Sequence, residues 1–591
     1  MNVTLRLVSG TLLLASVLSC CTKLESSSDT FGSGGILLGS GAATSSGGSG
    51  GTSTPGGSFP GGDASGENGG DIGQSGAPEA AGGTRNGAGG MFSSGGEGGQ
   101  GNESASAGAS GSSECIDEAG FNGAGCYRCT PSDVVTLEQA CTEAICTSFD
   151  NSSRLTQLGS DGRLPSLPDV AAGAGGVGGA AGAGQGGNGN AGSAGAGYAC
   201  RDLSRSGTVV YVTGSSAAKP FLQQIAQQLA TDGVFIVYTS TGSCVGVDAV
   251  VNGTRMTTGA APAPAATATY WESSSSSGKA CDLSSSGVTA DLGVSDVFAQ
   301  TCPGFELTDL DAKDVRDAHG PIQTMTFAVP ASSPYSEISA QAAYFVFGFG
   351  SGGGVLDPMQ AHPIWNDEKF IFQRSAASGT QSMLATAIGV PSGRWRGKAH
   401  KTSDDVAADL ASAGADETTA ASAIGILAAD YIDTKNLRAQ IRMLAYQDTR
   451  GPCAVYPDSS AGARDKQNVR DGHYPIWGPL HFLYKVDQSG DPVNADNRQQ
   501  VLDIVGYLSG SKPLPNGVQL LDVYAQSGLV PECAMRVTRT SDGGDITPHD
   551  PPNPCACLFD AKATGGTSCT PCTVQGDCAK SETCSEGYCE K

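Results

Sequence analysis

Glycine placement limits what this chain can fold into. Of its 87 glycines, most fall between Phe31 and Gly197. Segments 20–113 and 171–197 are mostly Gly, Ser, Ala and Asn, with few large apolar side chains. Such stretches cannot offset their chain entropy by burial, so both read as disordered tethers. The first, as a flexible chain, spans roughly 50–60 Å. Folding is thereby confined to a small Cys-rich module (114–170), a main domain (198–541) and a Cys-rich tail (542–591).

Residues 1–19 read as an export signal. Arg6 supplies a positive start, and the apolar run from Leu12 to Leu18 is too short to span a bilayer. The run ends in Val17-Leu18-Ser19-Cys20, which resembles the bacterial lipobox. That resemblance implies a lipoprotein lipidated at Cys20 and anchored to a membrane of the bacterial cell envelope. The residue after Cys20 is not Asp, which by bacterial sorting rules favours the outer membrane or periplasmic face. Disulfides persist in such a compartment, so most of the 20 cysteines should be paired. Cys126/Cys129 and Cys569/Cys572 have the CxxC spacing of zinc sites. The oxidising setting and the lack of neighbouring histidines favour disulfides, so no metal is expected. With Cys200 counted in it, the main domain holds six cysteines and the outer modules five and seven. Odd counts imply at least one bridge between modules or a free thiol.

In the main domain, strand and helix patterns alternate. Val209–Thr213 and Val234–Tyr238 read as strands, and Pro220 opens a helix with Phe221, Leu222, Ile225 and Leu229 on one face. Further strands are expected at 292–294, 324–329, 370–372, 438–445 and 480–486, with helices at 340–347, 381–388, 404–411, 498–508 and 517–526. Alternation of this kind specifies an α/β fold. The span exceeds one comfortable core, so two lobes are expected.

Four segments carry the chemistry. In Thr213-Gly214-Ser215-Ser216-Ala217-Ala218-Lys219-Pro220, a strand ends and a helix begins through small hydroxyl residues. Helix N-termini leave unpaired N–H groups and a partial positive charge, a ready anion site. The segment from Tyr238 through Gly242 and Ser243 to Asp248 repeats the pattern. In Leu292-Gly293-Val294-Ser295-Asp296 a strand ends in an acid. In Arg374-Ser375-Ala376-Ala377-Ser378-Gly379-Thr380 an Arg precedes a third such helix start. Its guanidinium offers a planar fork matched to an oxyanion, and Gly379 permits close backbone approach.

Together these segments resemble the PstS-like phosphate-binding proteins of bacterial ABC transporters. The matching motifs are the strand followed by G-[AS]-[ST], then Y-x-x-x-G-S, G-x-S-D and R-x-x-x-SGT, in the family's order. Trp365-Asn366-Asp367 and Tyr474-Pro475-Ile476 add to the match, which covers about 207–535. The resemblance implies a two-lobed periplasmic-binding-protein (Venus-flytrap) fold, a phosphate or similar oxyanion ligand, no cofactor and an ABC permease as membrane partner. It assigns phosphate binding to Ser216, Ala217, Ser243 and Asp296 from one lobe and to Arg374, Ser378, Gly379 and Thr380 from the other. Ala217 replaces the family's aromatic residue. Ala376 replaces the acid that orients the Arg, which puts affinity and anion choice in doubt. An insertion over 253–287, with Cys281, also departs from the pattern.

The acid at Asp296 suggests how anions are told apart. A carboxylate accepts a hydrogen bond from protonated phosphate but repels fully ionised sulfate, and facing two acceptors is costly. The charge balance, 34 basic against 58 acidic residues, argues against nucleic-acid binding. Backbone N–H groups and one Arg can still hold an anion. The main domain contains no G-x-S-x-G, HExxH or P-loop and its histidines are scattered in sequence, so no enzyme is expected. The competing reading is a cell-surface scaffold or adhesion lipoprotein that has lost ligand binding.

Overall fold

β-Branched and aromatic residues make Thr208–Gly214 a strand (β1). Pro220, in the first turn, opens helix α1 (Lys219–Thr231), which buries its apolar stripe. Val234–Ser240 (β2) returns parallel to β1 and leads into α2 (Ser243–Val251). The insertion contributes an antiparallel edge hairpin, Thr267–Tyr270 (β3) and Lys279–Asp282 (β4), followed by Leu292–Ser295 (β5). Next come β6 (Val315–Pro330), α3 (Ala340–Phe349), β7 (Ile371–Arg374) and α4 (Gly379–Ile388). Then follow β8 (Lys398–His400), α5 (Ser403–Ala413), β9 (Ile424–Ala428), β10 (Ile441–Met443), β11 (Trp477–Lys485) and α6 (Arg498–Ser509). This computed structural model describes residues 115–169 except Ala124, and 198–590 except 258–266 and 274–276. The export signal, Cys20 and both tethers lie outside the described residues.

The eleven strands form one mixed sheet in the order β8-β7-β9-β6-β11-β5-β1-β2-β3-β4, with β10 also on β6. β6 spans 16 residues and joins the two halves of the sheet. Its first part pairs with β11, from Val315 opposite Lys485 to Thr324 opposite Trp477. Its last part pairs with β9 and β10. The apolar interior divides accordingly. One cluster gathers Val212, Phe221, Ile236, Leu292 and Phe482; another gathers Met325, Phe327, Phe345, Leu384 and Ile426.

Some elements differ from the sequence reading. The strand expected at 324–329 runs back to Val315, because pairing with β11 imposes strand geometry on a polar stretch with no apolar alternation. The strand expected at 438–445 is instead β10 and a separate strand, Ala445–Gln447, in another sheet. The helix expected from Gly517 starts at Leu520, since Asn516 and Gly517 both take positive φ.

The N-terminal module is knitted into the main body. Strand Cys146–Thr147 pairs with Ala454–Val455, and Cys146 is bonded to Cys453. Buried Arg154 meets Glu337 at 3.1 Å. The tail is joined through Cys533–Cys555. These two bridges account for the odd cysteine counts of the outer modules. Nine disulfides are present among the described residues. Both CxxC pairs are engaged in them: Cys126 with Cys141, Cys129 with Cys115, Cys569 with Cys557 and Cys572 with Cys584.

Buried charge is also used structurally. Lys466 is fully buried, its Nζ 2.8 Å from Asp433 and 2.9 Å from Asp458. Arg438 binds the same two carboxylates. Lys466→Met should leave a buried negative charge without its partner and cost about 3–5 kcal/mol, read as a lower denaturant midpoint.

Candidate functional site

The turn after β1 is built by its own hydroxyl. Ser215 Oγ accepts from the N–H groups of Ala217 and Ala218, at 3.0 and 3.1 Å. Tyr238 fixes the same turn by donating its hydroxyl proton to the Ser215 carbonyl. Ala217, expected among the binding residues, is buried with its N–H already engaged, so that N–H is not a free donor. Ser216 lies beside it, its Oγ 3.3 Å from Ser403 Oγ.

The turn after β2 delivers Ser243, which is fully buried and whose Oγ accepts the Asp296 N–H at 3.1 Å. The start of α2 also contacts the segment before α4: Cys244 N–H donates to the Ala377 carbonyl at 3.1 Å. Gly379 sits against the same place. A Cβ there would lie 2.3 Å from Ser243 Oγ and 2.9 Å from Asp296 Cβ, so only glycine fits. Ser243, Asp296 and Gly379 are thus one contact group.

Arg374, at the end of β7, is almost wholly buried. Its Nη1 donates to Ser403 Oγ and its Nη2 to the Lys401 carbonyl, both at 2.8 Å. Both partners are neutral. Ser403, absent from the expected set, links Arg374 to Ser216. A local signal marked it: Thr402-Ser403-Asp404-Asp405 is a helix start, and Thr402 Oγ1 accepts from Asp405 N–H in a capping box. A cavity of about 40 Å³ touches Ser216 and Ser403, with Lys219 and Lys435 on its wall.

Several polar atoms here are buried without a partner: Asp296 Oδ1, Arg374 Nε and Thr380 Oγ1, with Ser382 Oγ one helical turn in from the start of α4. The Ser378 side chain does not cap α4, although its own N–H donates to the Ser375 carbonyl. Native interiors rarely leave such groups unsatisfied, and each costs about 1–3 kcal/mol. Burial pushes the Asp296 carboxyl up to about 6, against the pull of the Ser215 and Ser243 hydroxyls and of Arg374. Burial lowers Arg374 to about 10, opposed by Asp296, so it keeps its charge at neutral pH. The arrangement presents a fixed cation, hydroxyl donors and a helix N-terminus around one acceptor, a set suited to an anion that carries a proton.

Neither a protein-family model nor a curated protein matches the sequence. Solved structures are similar at low identity. A Clostridium perfringens substrate-binding protein assigned to phosphate ABC transport, with bound phosphate, is 12% identical (TM-score 0.35), covering 55% of this chain and 99% of its own. PstS from Borrelia burgdorferi is 11% identical (TM-score 0.29), covering 55% and 98%. The reduced OxyR regulatory domain from Pseudomonas aeruginosa is 9% identical (TM-score 0.26), covering 50% and 95%. At these identities and TM-scores the likeness says nothing of function.

The raised Asp296 has a consequence for stability. The unfolded chain releases this proton first, so the contribution of this group to stability is complete below about pH 4 and is lost as pH rises towards 6. Asp296→Asn should remove the loss and stabilise the fold at pH 8 by about 3 kcal/mol, with little effect at pH 4. Denaturant titration at the two pH values checks this.

Proposed function

We propose that the chain is an extracytoplasmic binding protein that holds phosphate, or a similar tetrahedral oxyanion, between two lobes of a Venus-flytrap fold. The observation that carries this is a set of buried polar atoms without a partner, Asp296 Oδ1, Arg374 Nε and Thr380 Oγ1, beside a helix start that no side chain caps. Ser216, Ser243 and Asp296 serve from the lobe built on β1, β2 and β5. Arg374, Ser378, Gly379 and Thr380 serve from the lobe built on β7 and α4, with Ser403 bridging the two. A ligand would satisfy groups that are otherwise expensive to bury.

Asp296 sets the selectivity. Above pH 6 it is a carboxylate, accepts the proton of hydrogen phosphate and repels sulfate. Nine disulfides suit an oxidising compartment outside the cytoplasm. No helix among the described residues is long and apolar enough to cross a membrane. Attachment is assigned to a lipid on Cys20, and delivery to an ABC permease or a sensor is the role such a protein would serve.

Calorimetry with phosphate, arsenate, molybdate and sulfate tests this. At pH 8 phosphate should bind and sulfate should not. At pH 5, with Asp296 protonated, sulfate should gain affinity relative to phosphate. Arg374→Ala should abolish binding, and Gly379→Ala should weaken it at least about 10-fold by forcing Ser243 and Asp296 apart. Equal affinity for sulfate at pH 8 would remove the role given to Asp296. Absence of heat with any anion would leave the scaffold reading.

A further inference from the structure

The histidines, scattered in sequence, are not all scattered in space. β6 and β11 are antiparallel neighbours, and their register shifts between Pro479 and His481. That irregularity sets His481 directly opposite His319. Asp317 lies two residues before His319, on the same face of β6. Three metal-ligating side chains therefore meet at one point, with ligand atoms within 4.8 Å of one another.

We infer that Asp317, His319 and His481 form a binding site for a divalent transition-metal ion, with zinc as the best-fitting ion. Asp317 Oδ2 is 2.8 Å from His481 Nδ1 and 3.7 Å from His319 Nε2. A tetrahedral zinc with bonds of about 2.0–2.1 Å holds its ligand atoms roughly 3.3 Å apart. The two separations bracket that value, and His319, half-exposed, is free to adjust. His481 is fully buried and Asp317 nearly so, whereas His319 faces solvent. The fourth position is thus open to water, the form of an open rather than a closed zinc site.

The surroundings supply what metal-bound imidazoles and carboxylates need. Phe298 packs edge-on against both rings, with centroids 4.4 Å from His481 and 5.7 Å from His319, and excludes water on that side. His481 Nε2 and Asp317 Oδ1 are buried without partners. Asp542 Oδ1 is likewise unpartnered, and this carboxyl interacts electrostatically with His481. Metal-bound histidines usually direct their second nitrogen at such a carboxylate. A cavity of about 40 Å³ has His319 and Glu532 on its wall. The other two groupings of metal-type ligands among the described residues consist largely of cysteines already held in disulfides. This site is independent of the anion reading, because none of its three ligands belongs to that set.

The test uses the full chain after chelator treatment, titrated with Zn²⁺ by calorimetry and with Co²⁺ by visible spectroscopy. One zinc per chain should bind in a way that depends on His319. Cobalt should give ligand-field bands without the thiolate charge-transfer band that a cysteine ligand such as Cys21 would produce. His319→Ala, at a half-exposed position, should leave the circular dichroism and melting temperature unchanged and weaken zinc at least about 10-fold. Asp317→Asn should weaken it similarly. Equal stoichiometry and affinity in wild type and His319→Ala would overturn the assignment, as would cobalt bands of purely thiolate character.

Discussion

Arg374 and Asp296 are opposite charges taken almost completely out of water, and the surrounding structure is organised around that fact. Removing a cation from water is offset only when most of its N–H groups find acceptors. Arg374 finds neutral ones, Ser403 Oγ and the Lys401 carbonyl, and its Nε finds none. Neither of these partners neutralises its positive charge. The same burial raises Asp296, so the one acceptor in the cluster is also a group that titrates near 6. Close backbone packing makes this arrangement feasible. Gly379 allows the start of α4 to reach Ser243 and Asp296, and any side chain there would separate them.

What the sequence disclosed followed from how local each signal is. Strand ends running into helix starts at Ser216, Ser243 and Ser378 are written within about ten residues, and each was readable before its neighbours were known. The same holds for α1, where Pro220 and an apolar stripe sit together. Ser403 was harder, because its role depends on β7 and β8 pairing in parallel, which places residues nearly thirty positions apart side by side. Its capping box was visible; its neighbour was not. The Asp317, His319 and His481 cluster was hidden for the same reason. It depends on a cross-strand register that no local pattern announces, on a part of β6 whose polar residues did not read as strand. Cysteine parity implied bridges between modules but could not choose Cys146–Cys453 or Cys533–Cys555, since pairing is decided in space.

The modules at either end gain their shape from cross-links and from the body they attach to. The tail has few buried apolar side chains of its own, chiefly Phe559, and carries three internal disulfides in about thirty residues. Small cores of this kind depend on covalent closure. Asp542, at the first position of that tail, is nevertheless buried in the main domain, where it accepts from Phe298 N–H and Thr301 Oγ1 at 2.9 and 2.7 Å. The tail is therefore held to the domain from its first residue.

That placement raises a question of charge. Asp296 is buried and interacts electrostatically with two further buried acids, Asp430 and Asp542, and three ionised carboxylates there would repel an anion. Burial resolves the conflict by changing protonation. It holds the Asp430 proton far above the ordinary carboxylate range, opposed by a hydrogen bond from Gln323, while Asp296 repels a second negative charge there. Burial also raises Asp542, opposed by Thr301, His481, the Phe298 N–H and Arg539. Like charges so close in a low-dielectric interior cannot all ionise together. Asp296 is the acid that shares its surroundings with Arg374 and with the hydroxyls of Ser215 and Ser243, and those partners keep its ionisation near 6. It can therefore act as an acceptor at neutral pH without filling the site with negative charge, a condition that a site selective for a protonated anion must meet.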